Sequence, residues 1–293
     1  MTTLPPEDFG MNRRGLLQRA GTSAFALGAL AAGGSMFAGT RNAAADTATT
    51  AVTDADILNF ALNLEYLETE YYLRAVTGRG IPAKDTTGVG GAPGKVTGGR
   101  KVQFRSTAIQ QIAEEIAEDE LGHVLFIRSI LGSSAVSQPD IDIEHSFNMI
   151  FQAAGLGERF DPYASEVNFL VGGFIFEDVG VTAYHGAAPL FQNREILSAA
   201  TGILAIEAYH ASELRLLLLQ AGQAEVTDRI SAVRASLSGA ADDQGVTLDG
   251  KVNIVPTDEN GLAFARSTRQ VQNIAFGAVN ANQGLFFPKG MRA

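Results

Sequence analysis

Glu207 and His210 lie three residues apart in ILAIEAYHASELRLLLLQ (203–220), a stretch apolar enough to be a buried helix. Positions three apart on a helix share a face, so the two side chains point the same way. Leu204, Ala208, Ala211 and Leu214 surround them and leave little room for a solvated face. A buried carboxylate is costly unless it is paired or holds a cation. The same spacing recurs as Glu120-Leu121-Gly122-His123 within EDELGHVLF. One such pair is weak evidence for a metal site. Two, on separate helical segments and using half of the four histidines, point to metal ligation.

A second pattern alternates with the first. Tyr72 follows Glu65 by seven residues, and Tyr184 follows Glu177 by seven. Seven residues make about two helical turns, which sets each tyrosine nearly in line with its glutamate. The order along the chain is Glu…Tyr, Glu-x-x-His, Glu…Tyr, Glu-x-x-His, a pseudo-repeat of helix pairs. Glu68 is a rival to Glu65, because it shares the stripe of Ala61, Glu65 and Tyr72; the matching tyrosine spacing selects Glu65. His185 faces away from Tyr184, and His145 falls in a connecting segment, so both read as structural or surface residues.

Composition narrows the chemistry. The chain has 293 residues, a net charge of −10 and no cysteine. Disulfides, thiolate sites and Fe–S clusters are excluded, so any metal must use Asp, Glu or His. The acidic balance argues against a nucleic-acid partner. Near the N-terminus, Arg13-Arg14 precede Leu16-Leu17, a run of small apolar residues and an Ala43-x-Ala45 cleavage pattern. This resembles a twin-arginine export signal over residues 1–45, served by the twin-arginine machinery. The run is rich in glycine and alanine and makes a poor permanent anchor, so no stable membrane span is expected after cleavage. The expected location is periplasmic or secreted.

The elements that must position these residues are helices. The first opens with a capping box from Thr53 to Asp56, runs to about Val76 and stops at Gly78. A glycine-rich stretch (78–100) reads as a mobile surface loop without a phosphate-binding pattern. The second helix covers about 104–131. A crossing segment of about thirty residues follows, with a short helix near 147–154. The third long helix is expected to begin at Asp161-Pro162, and the fourth spans about 193–220. Further helices are expected near 226–237 and within AFARSTRQVQNIAFG. Strand signals are weak. Four long helices with a long crossing between the second and third give an all-α bundle over 46–222, with 223–293 as a helical extension packed on it.

One glutamate from each of two helices plus Glu-x-x-His from each of the other two resembles the ligand set of ferritin-like di-iron and di-manganese carboxylate proteins. LNFALNLEYLETEYYLRAVTG and the terminal GLFFPKG are similar to exported ferritin-like proteins related to plant desiccation-related proteins. The resemblance implies two Fe or Mn ions held by Glu65, Glu120, His123, Glu177, Glu207 and His210. In it, Glu120 and Glu207 bridge or flank the ions, and each histidine binds one. Tyr72 and Tyr184 become hydrogen-bond donors to carboxylates across the bundle. Four carboxylates would balance two divalent ions. The implied activity is oxidoreduction of O₂ or peroxide, since manganese catalase shares the bundle and ligand logic. A non-enzymatic desiccation or stress protein is the alternative. Iron storage is a third, opposed by the export signal and the long ends outside the bundle. A homo-oligomer is compatible with the sequence.

Overall fold

The computed structural model describes residues 52–293, so the expected signal segment lies outside the described residues. The long helices are α1 (Asp54–Thr77), α2 (Thr107–Leu131), α4 (Glu166–Ala187) and α5 (Arg194–Gln220). Between α2 and α4 lies the short α3 (His145–Ala153). The C-terminal part supplies α6 (Ala224–Ser238) and α7 (Thr268–Phe276). Sheet structure among the described residues is confined to two-residue strands. β1 (Val96–Thr97) pairs in parallel with β2 (Ile141–Asp142), and β3 (Thr247–Leu248) pairs antiparallel with β4 (Lys251–Val252).

Each long helix starts at a side chain suited to its cap. Thr53 and Asp56 form the capping box of α1, while Ser106, Ser165 and Asn193 cap α2, α4 and α5. Gly78 ends α1 in the left-handed region, where a residue without Cβ is at least cost. The expected start of α4 at Asp161-Pro162 is corrected. Asp161 is drawn into a pair with Arg100, at 2.9 Å from Oδ1, and also accepts from the Tyr163 N–H. Ser165 caps the helix instead by accepting from the Asn168 N–H. The stretch 78–100 also differs from the loop expected of it. It contains a 3₁₀ turn at Ala83–Asp85 and the strand β1, and it buries Ile81 and Thr86.

Burial divides the bundle into two kinds of helix. On α2 the buried set is Ala113, Ile116, Ala117, Glu120, His123, Val124, Ile127 and Leu131. That is the stripe of an amphipathic helix with one face to solvent. On α5 the stripe includes Ile203, Glu207, His210, Leu214 and Leu218. In contrast, α1 is buried continuously from Ala61 to Tyr72 and α4 from Phe169 to Gly180. The region Glu166–Leu190 is long and apolar enough to cross a membrane by length and composition, yet most of it is buried inside the protein. Packing pairs α1 with α2 and α4 with α5 most extensively, while α6 and α7 cover α4. Cross-bundle contacts run in opposite directions: Glu65 meets Tyr184 while Tyr72 meets Glu177, so α1 and α4 are antiparallel.

Candidate metal centre

The stripes of α2 and α5 and the centres of α1 and α4 converge on one point in the bundle. Glu65, Glu120, Glu177 and Glu207 have no solvent exposure, and His210 is nearly as buried. His123 is the most exposed of the six, at 8%. The structure therefore brings together all six side chains that the sequence pattern selects.

They form two groups. Glu65, Glu120, His123 and Glu207 present ligand atoms within 4.8 Å of one another, as do Glu120, Glu177 and His210. Glu120 belongs to both. Its Oε2 is 3.6 Å from His123 Nδ1, and its Oε1 is 3.1 Å from His210 Nδ1. A carboxylate with one oxygen toward each imidazole is disposed to bridge two ions. Glu207 joins the first group alone, with Oε1 3.8 Å from His123 Nδ1. Glu120 and Glu207 therefore hold different places in the centre.

A local two-fold relation orders the rest. Glu65 offers Oε2 to His123 Nδ1 at 3.2 Å, and its Oε1 accepts from the Tyr184 hydroxyl. Glu177 sets Oε2 3.4 Å from His210 Nδ1, and its Oε1 accepts from the Tyr72 hydroxyl. Each tyrosine thus fixes one oxygen of a carboxylate across the bundle and leaves the other aimed at the centre. Burial and the adjoining carboxylates push both phenols well above their ordinary range, so they remain donors. The relation breaks at Asp119, whose Oδ2 lies 3.4 Å from His210 Nε2. The corresponding place on α5 is Ile206, which offers no carboxylate.

Two features were not evident from the spacing. Glu68 is buried beside the centre along with Glu65, not in place of it. It stands outside both ligand groups, as a fifth buried carboxyl beside the four that the sequence pattern selects. Helix interiors disfavour glycine by about 1 kcal/mol relative to alanine, yet α4 carries Gly173 and Gly180 two turns apart. A Cβ on Gly180 would come within 2.0 Å of Glu207 Oε2, and one on Gly173 within 2.6 Å of the Tyr72 hydroxyl. These bare backbone positions let Glu207 and Tyr72 close on the centre. Their seven-residue spacing was the available sequence signal.

The polar atoms suit metal binding. Both oxygens of Glu120, both of Glu207, Glu177 Oε2 and His210 Nδ1 are buried without a hydrogen-bond partner. Orphaned buried acceptors are rare because each carries its full desolvation cost. Carboxylates and imidazoles in this ratio suit Fe or Mn.

Without metal, protons must take the place of cations. Burial pushes Glu65 up to about 7 and also raises Glu177, Glu207 and Glu68, the last two strongly. Burial alone would raise Glu120 too, but the flanking imidazoles outweigh it and hold that carboxyl low. Burial opposes charge on His123 and His210, but the surrounding carboxylates prevail and raise both. A group whose folded pKa is raised adds stability below its unfolded value and loses it as pH climbs through the folded value. For Glu65 that window runs from the model-peptide 4.5 to about 7, on the order of 3 kcal/mol. The other raised groups act in the same direction, while Glu120 acts oppositely only at low pH. The metal-free protein is therefore expected to melt at a lower temperature as pH rises from about 6 to about 8, and bound metal to abolish the decline. Thermal scans with and without chelator check this; a metal-free Tm that climbs over that interval contradicts it.

Comparison with known proteins agrees with the helical fold. The ferritin-like domain profile matches residues 53–220. The chain is 30% identical to the desiccation-related protein PCC13-62 of Craterostigma plantagineum, over 81% of this chain and 82% of that protein. It is 23% identical to the ferritin-like catalase Nec2 of Nesocodon mauritianus, over 81% of this chain and 83% of that protein. No solved structure matches. With an all-α bundle, a buried carboxylate and histidine cluster at its centre and this profile over most of the described helices, the chain belongs to the ferritin-like domain family.

Proposed function

We propose that the protein is a dinuclear Fe or Mn oxidoreductase acting on peroxide or O₂. The observation that carries this reading is the set of buried ligand atoms on Glu120, Glu177, Glu207 and His210 that crowd together without hydrogen bonds. Glu65, Glu120, His123 and Glu207 would hold one ion, and Glu120, Glu177 and His210 the other. Bound there, the pair supplies cycling between oxidation states and Lewis-acid binding of an oxygen species.

The chain's own residues do the rest. Tyr72 and Tyr184 lock Glu177 and Glu65 in the rotamers that face the centre. Asp119 holds the His210 ring by its outer nitrogen, leaving Nδ1 turned inward. Apolar walls from α1 and α4 exclude bulk water from the reacting species. The name of the catalase relative supports peroxide as the substrate to try first. Protein loaded with Mn or Fe is expected to release O₂ from hydrogen peroxide faster than the same amount of free metal. A rate no higher than free metal, or one untouched by His210→Ala, defeats the reading.

A second reading, a non-enzymatic protective bundle, is favoured by the similarity to a desiccation-related protein. It predicts that protection of a test enzyme during drying survives removal of metal. We also propose that residues 1–45 direct twin-arginine export and are then removed, placing the protein in the periplasm or outside the cell. Mass spectrometry of the exported chain should find Asp46 at its N-terminus, and replacing Arg13-Arg14 with lysines should block export.

A further inference from the structure

A small cavity lies between α1, α4 and the C-terminal part of the chain. Its walls are apolar, formed by Leu64, Val179, Ile274, Ala275 and Phe286 among others. Two wall residues connect it to the metal centre. Gly180 presents bare backbone, with the Glu207 carboxylate against it. Glu68 is 4% exposed and makes no hydrogen bond or ion pair among the described residues. An unpartnered carboxyl in an apolar wall carries a desolvation cost that a ligand could relieve. The cavity measures about 30 Å³, and one water needs roughly 10–15 Å³ on this measure. Its capacity is therefore two or three heavy atoms.

We propose that this cavity is the antechamber of the metal centre, a seat for small oxygen species or linear triatomic anions, with Glu68 as the hydrogen-bonding group that meets them. The proposal rests on the dinuclear reading and adds its size limit. It also gives the C-terminal extension a functional part, because Ile274, Ala275 and Phe286 form part of its wall. Glu68 lies outside both ligand groups, so its removal leaves the six ligands in place.

The test uses the full chain loaded with metal and titrated with azide, followed by its optical or EPR signature. Ala275→Leu fills the cavity from the C-terminal side. Glu68→Leu removes the carboxyl, and Glu68→Gln keeps a hydrogen-bonding group. Metal content is expected to match wild type in all three. Azide affinity is expected to fall about tenfold or more in Ala275→Leu and Glu68→Leu, and to survive in Glu68→Gln. Glu68→Leu keeps the test decisive if Ala275→Leu fails to fold. Metal-loaded wild type that takes no azide, or metal-loaded leucine variants that bind it as wild type does, overturns the antechamber and leaves the dinuclear reading standing. A chain that takes up no metal overturns both.

Discussion

On the dinuclear reading, Glu120→Ala should strip the protein of both ions, while Glu177→Ala should spare the one assigned to the His123 group. The asymmetry follows from position. Glu120 supplies one oxygen toward each histidine, whereas Glu177 serves only the His210 group. Removing Glu120 takes a ligand from both groups and also a negative charge that faces both imidazoles. Loss of a shared ligand is expected to cost each ion about 100-fold or more in affinity, beyond the 10–100-fold typical of outer-sphere partners. Glu120→Gln tests charge separately from shape and should be nearly as damaging. Elemental analysis checks both variants. Two ions retained in Glu120→Ala would show that the bridge is misassigned.

Arg215→Ala should be the most destabilising substitution away from the centre. Arg215 is fully buried on α5, and its guanidinium is saturated. It donates to Asp178 Oδ2 at 2.8 Å and to the backbone carbonyls of Gln244, Gly245, Asn253 and Ile254. Asp178 is the neighbour of Glu177, so the network anchors α4 beside the centre. Arg234 donates to the same Asp178 oxygen and to Asp243, and Arg266 to Asp242 and Asp243. Three arginines and three aspartates thus tie α4, α5, α6 and the C-terminal segment together. Deleting one partner from such a buried network leaves carbonyls and charge uncompensated, a loss of about 3–5 kcal/mol. In a domain of this size that lowers Tm by roughly 10 °C or more. Arg229→Ala is the control. Its pair with Glu225 is exposed on both sides, so little change is expected. Equal effects from the two substitutions would deny the network its role.

How much of this the sequence disclosed depended on periodicity. On α2 and α5 a single buried stripe carries the chemistry, so Glu120, His123, Glu207 and His210 stand out as polar intrusions in an apolar face. Glu65 and Glu177 lie on helices buried on every side, where the period is lost. Only the recurrent tyrosine seven residues on distinguished them. The same loss of period made Glu65 and Glu68 compete, although both are buried at the centre. The start of α4 was misplaced because two capping signals lie four residues apart, and Arg100, some sixty residues earlier, claims Asp161. The arginine network was illegible for a related reason. Many of its acceptors are backbone carbonyls, which carry no residue-type signal.

The most direct measurement is anomalous diffraction from crystals of metal-loaded protein, recorded on either side of the Mn and Fe absorption edges. The proposed dinuclear centre predicts two peaks flanking Glu120, one against His123, Glu65 and Glu207 and the other against His210 and Glu177. A crystal that shows no peak there, or places its metal elsewhere on the chain, contradicts the account.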